Sequence, residues 1–186
     1  MDKQKEILSA ALRLFVEFGF HGTPTSTIAK QAGVANGTLF HYYKTKDELI
    51  LALYTDVKEK MSQNLKSKIE NEENPEAILK LLIINSFYWA LDNRAEFRFV
   101  QLFQASPYQA MISQEVLDKQ MQPYVALIET AMKAKILRQV SVDLVCLLLI
   151  SHISGVFQYL VTKEFSEKEQ KNIIEDAYSM LWNMIT

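Results

Sequence analysis

The sequence predicts an all-helical protein in two parts, a small N-terminal head and a larger helical body. Apolar residues recur at helical spacing along nearly the whole chain, and no useful length of it alternates as a half-buried strand does. Four of the five glycines fall within nineteen residues and separate short helical segments: Gly19, Gly22, Gly33 and Gly37. We assign the head to residues 1–46 and the body to residues 47–186.

The first two helices of the head are defined by their end signals. Apolar residues from Ile7 to Phe18 lie on one face of a helix expected over about residues 3–18, and Gly19 permits its end. The second helix is expected to open at Thr23-Pro24. Thr23 would cap the exposed N–H groups, and Pro24 would take the first helical position, where no N–H is needed.

Gly33 is expected to make a tight turn into a third helix over about residues 36–42. Ala29 and Ala32 are small enough for the second helix to pack closely. The segment Thr45–Glu48 has the pattern of a capping box, which predicts a fourth helix over about residues 46–69. Two short helices joined by such a turn form a helix-turn-helix, whose second helix can enter the major groove of DNA.

The body is expected to contain further helices after the loop signal of residues 71–75. They are predicted over about residues 76–91, 95–104, 108–137, 142–161 and 167–185. The first of these is apolar on nearly every side, which indicates a central position in its domain. Pro123 is expected to kink the third helix or to divide it in two.

The charge distribution suits a head that binds phosphates. Residues 1–46 carry six basic and three acidic side chains, a net charge of +3, whereas the rest of the chain carries fourteen basic and nineteen acidic groups, a net charge of -5. Ordinary scatter gives differences of this size as well, so the charge alone leaves nucleic-acid binding open.

The third helix carries residue types suited to a DNA groove. Asn36 can pair with adenine through its amide, Gly37 lets the backbone approach DNA closely, and His41 is expected to be exposed. Donors suited to phosphate oxygens are supplied by Thr38, Tyr42 and Lys46.

At these residues the head resembles the tetracycline-repressor (TetR) family of bacterial transcription regulators. The resemblance covers about residues 5–52 and rests on Leu14-Phe15, Gly19-Phe20, Thr23, Ile28-Ala29, Ala32-Gly33-Val34, Gly37-Thr38-Leu39-Phe40, Tyr43, Lys46 and Glu48-Leu49. The DNA-binding residues that it implies are Thr38, Tyr42 and Lys46 at phosphates, Asn36, Gly37 and His41 at bases, and Thr25 and Ser26 in support of them.

Three positions depart from the family pattern. Ala35 stands where a small hydroxyl residue usually caps the third helix, at a cost of about 1 kcal/mol. Pro24 replaces a common hydroxyl residue, and Ser26 stands where some members carry a basic residue. We therefore expect a weakly capped third helix and little base contact from the second. Phe40 and Tyr43 are expected in the core of the head.

The body is rich in aromatic residues and methionine, most of which are expected to be ordinary core residues. A mostly apolar cavity with one or two polar groups is also how helical bundles hold small molecules, and the TetR resemblance implies an effector site here. The residues expected to line it are Phe87, Phe103, Met121, Tyr124 and His152. The effector would be small and mostly apolar, and a core role for His152 is the alternative.

The last two helices have more apolar surface than one buried face needs. In the final helix, Ile173, Ala177 and Leu181 form one row, and a second row lies beside it, so that one can face the domain and the other a partner. The interface residues expected for a homodimer are Ser151, Ser154, Gly155, Gln158, Ile174, Tyr178 and Trp182. Such a dimer, which the resemblance also implies, would present two recognition helices to half-sites about 34 Å or a multiple apart.

The sequence offers little for catalysis, cofactors or a membrane. Carboxylates, serines and glycines show no catalytic or phosphate-binding spacing, three distant histidines argue against a metal site, and the lone Cys146 excludes an internal disulfide. The uncharged run from Leu144 to Thr162 carries a stripe of small and polar residues, which fits burial against protein better than against lipid. The N-terminus does not resemble a signal peptide, so we expect a cytoplasmic protein that is not an enzyme.

Together these features predict a dimeric transcriptional repressor that a small effector releases from its operator DNA. One alternative is a regulator whose body binds a protein partner in place of a small molecule. Another is an enzyme or carrier with a vestigial DNA head. Activation in place of repression depends on the position of the operator, which the sequence does not reveal.

Overall fold

The structure, a computed structural model, describes residues 2–186, and these residues contain helices and no β-strand. The α-helices within them are α1 (Lys3–Phe18), α2 (Thr25–Gln31), α3 (Asn36–Tyr42), α4 (Lys46–Ser67), α5 (Pro75–Asp92), α6 (Arg94–Gln104), α7 (Gln114–Lys133), α8 (Val142–Val161) and α9 (Glu167–Ile185). A short 3-10 helix, Pro107–Met111, lies between α6 and α7. The predicted all-α class is confirmed.

The chain forms two compact units that are each built from two segments. The first unit contains the residues up to Met61 together with Asn93–Ser113, and the second contains Ser62–Asp92 and Gln114–Thr186. The helix α4 therefore runs from the first unit into the second. The first unit is larger than the head of residues 1–46 because it also includes most of α4, all of α6 and the 3-10 helix. The functional boundary after residue 46 stays a prediction.

Aromatic packing explains why α6 belongs to the first unit. The ring of Phe99 lies 6.3 Å from that of Phe15 and 5.9 Å from that of Phe20, measured between centroids. Phe103 stacks on Tyr54 at 4.0 Å. Aromatic pairs of this kind contribute about 0.5–1.5 kcal/mol each beyond the area that they bury. The core of the head is thus completed by residues far along the chain.

The start of α2 differs from the prediction. Its N-cap is Pro24, which has extended backbone angles and no side-chain cap, so the helix begins one residue later than expected. Thr23 is then too far upstream to cap α2. Its buried hydroxyl instead donates to the Gly19 carbonyl at 2.8 Å, with the Leu14 carbonyl at 3.1 Å. The expectation that Thr23 caps α2 was wrong, because Thr23 satisfies the C-terminal end of α1.

The predicted helix over residues 108–137 is interrupted before α7, not at Pro123. Ser106 accepts the N–H of Tyr108 at 3.3 Å and Pro107 opens the 3-10 helix, which ends at an extended Ile112. Pro123 lies inside α7 without dividing it.

The second unit has its core between α5, α7, α8 and α9. Buried side chains from all four helices meet there, including Phe87 of α5, Ile128 of α7, Leu160 of α8 and Leu181 of α9. The helix α5 packs against each of the other three, as its apolar surface on all sides predicts.

Candidate nucleic-acid interface

The turn between α2 and α3 is closed by backbone hydrogen bonds around one left-handed residue. Gly33 has a φ of +66°, a conformation that is strained for residues with a Cβ atom. Its N–H donates to the Lys30 carbonyl at 3.2 Å, and the N–H of Val34 donates to the Ala29 carbonyl at 3.0 Å. Leu39 of α3 is fully buried. The structure therefore confirms the turn at Gly33. These hydrogen bonds and the burial of Leu39 hold α3 against α2.

The residues expected at DNA differ in exposure. Those that are exposed are Ser26, Asn36, Gly37, His41 and Tyr42, and those that are half-buried are Thr25, Thr38 and Lys46. The inner positions are Leu39 in α3 and Tyr43 directly after it, so the candidate residues of this helix lie away from the core. We call Asn36, Gly37, Thr38, His41 and Tyr42 the recognition surface.

Two further side chains near this surface are exposed. Phe40 is 36% exposed although it was expected in the core, whereas Tyr43 is buried as expected. The spacing of Leu39 and Tyr43, four residues apart, already defines the inner face, and Phe40 falls outside it. Lys44 is also exposed, and its ammonium donates to the His41 carbonyl at 3.4 Å.

The first turn of α3 has no side-chain cap. Its N-cap is Ala35, and the N–H of Thr38 donates to the Ala35 carbonyl at 2.9 Å. This confirms the weak capping expected from Ala at this position. The order of α3 therefore depends on its packing and on the turn rather than on its own end.

Lys46 is engaged with the protein itself. Its ammonium donates to the carbonyl of Phe20 and lies 6.0 Å from the centre of the Phe15 ring. Burial lowers the pKa of this ammonium group. Lys46 therefore differs from the residues of the recognition surface in that its ammonium group already donates a hydrogen bond within the first unit.

The head matches a known family at these positions. The sequence profile described as bacterial regulatory proteins, tetR family, matches residues 7–53. A fatty acid metabolism regulator protein of Bacillus subtilis (strain 168) is 38% identical over 90 residues, which are 48% of this chain and 45% of that protein. A solved structure from Shewanella sp. PV-4, assigned to the same family, is 28% identical, with a TM-score of 0.88 over 100% of this chain and 98% of that one. Residues 7–53 therefore match the TetR family, and the fold of the whole chain is similar to that of a solved structure assigned to it.

The TetR-family comparisons differ in how much of each protein they cover. The chain spans less than half the length of the curated relatives that it matches. The structural match extends over both units. A crystal structure of AibR with isovaleryl coenzyme A and operator DNA has the same fold, with 16% identity and a TM-score of 0.77 over 97% of this chain and 98% of that one.

The five residues expected at an effector are not brought together. Phe103 belongs to the first unit, whereas Phe87 and His152 lie in the second with ring centroids 6.1 Å apart. Phe87 and Phe103 are fully buried core residues. The His152 ring bonds the Ala177 carbonyl at 2.8 Å, which agrees with the alternative core role.

The second unit holds a mostly apolar cavity of about 210 Å³. It is lined by Leu65, Lys66, Ile69, Ile78, Leu82, Pro123, Tyr124 and Leu127. Tyr124 is thus at this cavity as expected, while the other four expected residues, all in the described part of the chain, do not line it. Burial raises the pKa of the Tyr124 hydroxyl, and a hydrogen bond with Ser62 acts in the opposite direction.

The expected dimer residues of α8 are more exposed than those of α9. Ser151, Gly155 and Gln158 are exposed on α8, and Ser154 is half-buried. Ile174 is fully buried in the core of the second unit, so its assignment to the interface was wrong. Tyr178 and Trp182 are half-buried against the same core. The row that faces the domain is Ile174, Ala177, Leu181 and Ile185. Ala177 and Leu181 thus face the core as expected, whereas Ile174 is fully buried in place of Ile173.

Large apolar side chains are exposed on the outer sides of α8 and α9. They are Leu144, Leu147, Ile150 and Tyr159 on α8, and Met180 and Met184 on α9. The exposed fractions of Leu147 and Met180 reach 60% and 69%. We call these six residues, with Ser151 and Gly155, the outer face.

The helix α8 is also long and apolar enough to cross a membrane, as the sequence indicated. It is the one such helix within residues 2–186, and most of its residues are not buried in the monomer. Its exposed positions include the polar side chains of Ser151 and Gln158, which are less favourable in lipid than apolar side chains. One helix of this kind is weak evidence for a membrane protein.

No group of three or more His, Cys, Asp or Glu side chains within residues 2–186 is arranged to hold a metal ion. Cys146 is half-buried, and burial raises the pKa of its thiol. Neither observation adds a catalytic group to the interface described above.

A hydroxyl at position 35 should stabilise α3. In Ala35→Ser the side chain can accept a hydrogen bond in the first turn, which raises the free energy of unfolding by about 1 kcal/mol. For a chain of this size we expect the Tm to rise by about 3 °C in a thermal unfolding experiment. Ala35→Val is the matched control because valine adds bulk but no acceptor. An equal Tm for all three proteins would show that the first turn is already satisfied.

Proposed function

We propose that this protein is a transcriptional repressor that binds operator DNA through α3. The observation that carries the proposal is the exposed recognition surface, held on a helix-turn-helix by the turn at Gly33. Its Asn36 and His41 have donors and acceptors that base edges can meet, and Thr38 and Tyr42 have hydroxyls suited to phosphates. Thr25 and Ser26 on α2 support it. The names of the relatives, which are regulators, favour this function over an enzyme.

Gly37 provides a specific reason to expect close contact with DNA. A Cβ atom added at this position would meet nothing within 4 Å, so the fold itself does not require glycine there. Glycine inside a helix is about 0.8–1 kcal/mol less favourable than alanine. A residue that weakens the helix without serving the fold is consistent with a backbone that must approach a ligand closely.

We expect Gly37→Ala to stabilise the free protein and to weaken its binding to operator DNA several-fold. The added methyl group lowers the entropy of the unfolded chain and blocks close approach of the backbone. The operator is first selected from random DNA, and its affinity is then measured by fluorescence anisotropy beside the Tm. A variant that is more stable and binds as tightly as the original would exclude close backbone approach at position 37. Failure of the original protein to select any DNA would contradict the proposed function.

We further propose that the protein is a homodimer that uses the outer face of α8 and α9. Leu147 and Met180 are too exposed for apolar side chains of this size unless something covers them. Ser151 and Gly155 permit close approach of two copies of α8. A two-fold dimer presents two recognition surfaces to two half-sites of DNA. Ile174 is buried in the core and takes no part in the proposed interface.

The double substitution of Leu147→Glu with Met180→Glu should yield monomers. Both side chains are exposed in the monomer, so the charges disrupt the dimer without entering a core. Operator affinity should fall on the order of 10²-fold, because the second head no longer binds at high effective concentration. Sedimentation velocity measures the oligomeric state, and Val140→Glu, an exposed apolar residue outside α8 and α9, is the control. A variant that remains dimeric would exclude this face.

The cavity of the second unit is the effector site that we propose. Its lining is apolar except for Lys66 and the hydroxyl of Tyr124, which suits a small and mostly apolar molecule. Its volume exceeds the roughly 150 Å³ in which an apolar protein cavity binds benzene. AibR shows that this fold holds both a ligand and operator DNA. A cavity in the body favours a small effector over control by a protein partner alone.

Filling the cavity should separate effector binding from DNA binding. We expect hexanol or hexanoate, used as probes, to raise the Tm of the original protein and to weaken its operator binding. An effector acts only through unequal affinity for the DNA-bound and released arrangements. Leu82→Trp should abolish both effects while DNA binding persists, and Val140→Trp should change neither. Probes that bind with no effect on operator affinity would contradict the effector role of this cavity.

A further inference from the structure

The side chains of α3, with that of the residue directly after it, form rows whose members stand four positions apart. Residues with this spacing are neighbours on one side of a helix. The inner row is Leu39 and Tyr43, and both are buried. Because successive residues are rotated by about 100°, the row that points away from this core is Gly37 and His41, and both are exposed. Two further rows lie on the flanks of this outward row.

The two flanks of α3 differ in chemistry. One flank carries Thr38 and Tyr42, whose hydroxyl groups suit phosphate oxygens. The other carries Asn36 and Phe40, an amide beside an aromatic ring that is 36% exposed. An asparagine amide can pair with adenine, whereas a phenylalanine ring has no hydrogen-bond donor for a phosphate. The flank of Asn36 and Phe40 is therefore suited to base edges rather than to the DNA backbone.

Gly37 leaves an open space beside this flank. A Cβ atom at position 37 would meet nothing within 4 Å, so the fold leaves the outward side of the first turn open. Phe40 and His41 stand three and four residues after Gly37, so they are its neighbours on the helix surface. Side chains of a helix lean towards its N-terminus, which directs the ring of Phe40 towards this turn. A group of the size of a methyl can therefore enter the space at Gly37 beside an apolar ring.

We propose that the recognition surface reads thymine through its C5-methyl group, which enters the space at Gly37 and contacts the ring of Phe40. In the major groove thymine presents a methyl group, and phenylalanine is among the side chains that make apolar contact with it. The inference rests on the proposed binding of operator DNA by α3. It gives Phe40 a role in base specificity. It also gives glycine at position 37 a specific purpose, because a side chain there would take the place of the thymine methyl.

The proposal also places this thymine relative to a second base. Asn36 and Phe40 belong to one row, and side chains four residues apart on a helix are about 5–6 Å apart. Successive bases along one DNA strand are about 3.4 Å apart. The thymine should therefore lie within about two base pairs of the adenine that Asn36 contacts.

Replacement of thymine by uracil tests the contact, because it removes only the methyl group and leaves base pairing intact. The operator is selected from random DNA, each thymine of one half-site is replaced singly, and fluorescence anisotropy measures the affinity. We expect one of these replacements to weaken binding by the original protein roughly 4-fold, the effect of one buried methyl group. A half-site in which no replacement changes the affinity would overturn the proposal.

Phe40→Ala tests whether the methyl effect belongs to this ring. The variant should bind the thymine operator several-fold more weakly than the original protein does, and the uracil replacement should then cost it nothing further. Phe40→Leu keeps an apolar side chain and should retain part of the methyl effect. Phe18→Ala, the matched control, removes an exposed ring at the end of α1 and should keep the full effect. A methyl effect as large in Phe40→Ala as in the original protein would exclude Phe40 as the contact.

Gly37→Ala provides a second test that leaves the ring in place. Its added methyl group occupies the space proposed for the thymine methyl. The variant should therefore lose affinity for the thymine operator but little for the operator with uracil at the sensitive position. Equal losses on the two operators would show that position 37 meets another part of the DNA, and would overturn the proposed methyl site.

These experiments separate the thymine contact from the proposed function. If the original protein selects no DNA, the proposed function fails and the thymine contact fails with it. If it selects an operator but the methyl effect does not depend on Phe40 or Gly37, the thymine contact fails while operator binding stands.

Discussion

The packing of Phe15 and Phe20 against Phe99 is the contact on which the first unit depends. Phe15 and Phe99 are fully buried, and the three rings lie within 6.3 Å of one another. Phe99 comes from α6, far along the chain from the helix-turn-helix. Small units bury a low fraction of their surface, so the aromatic residues that α6 adds enlarge the core of the first unit. The helix-turn-helix consequently packs on a segment that the chain inserts between α5 and α7.

Local signals explain how much of this fold could be predicted. The bounds of α1 and α3 follow from Gly19, Gly33 and the apolar spacing, and the structure reproduces them. The role of Thr23 was missed because the extended Pro24 shifts the start of α2 by one residue. The contact of Phe20 with Phe99 was also missed, since periodicity within one segment carries no information about a partner about eighty residues away.

The body shows a second limit, which concerns rotation and volume. Residues three and four positions apart both lie on one face of a helix. Ile174 and Ile173 stand three and four residues before Ala177, so the pattern of α9 could not decide which of them faces the core. Large aromatic residues such as Phe87 and Phe103 were expected around a cavity, but they fill space and form the two cores. The cavity lies instead among branched aliphatic residues beside Pro123, and a sequence does not show where volume is missing.

The helix α3 has few stabilising interactions of its own. It has seven residues, an Ala N-cap without a side-chain bond and a glycine in its first turn, and helices of this length are unstable alone. Its order comes from the burial of Leu39 and Tyr43 and from the turn at Gly33. The outward positions are therefore free to carry residues that suit DNA rather than the helix. For the same reason, any change in the packing beneath α3 or at the start of α4 alters how these residues are presented.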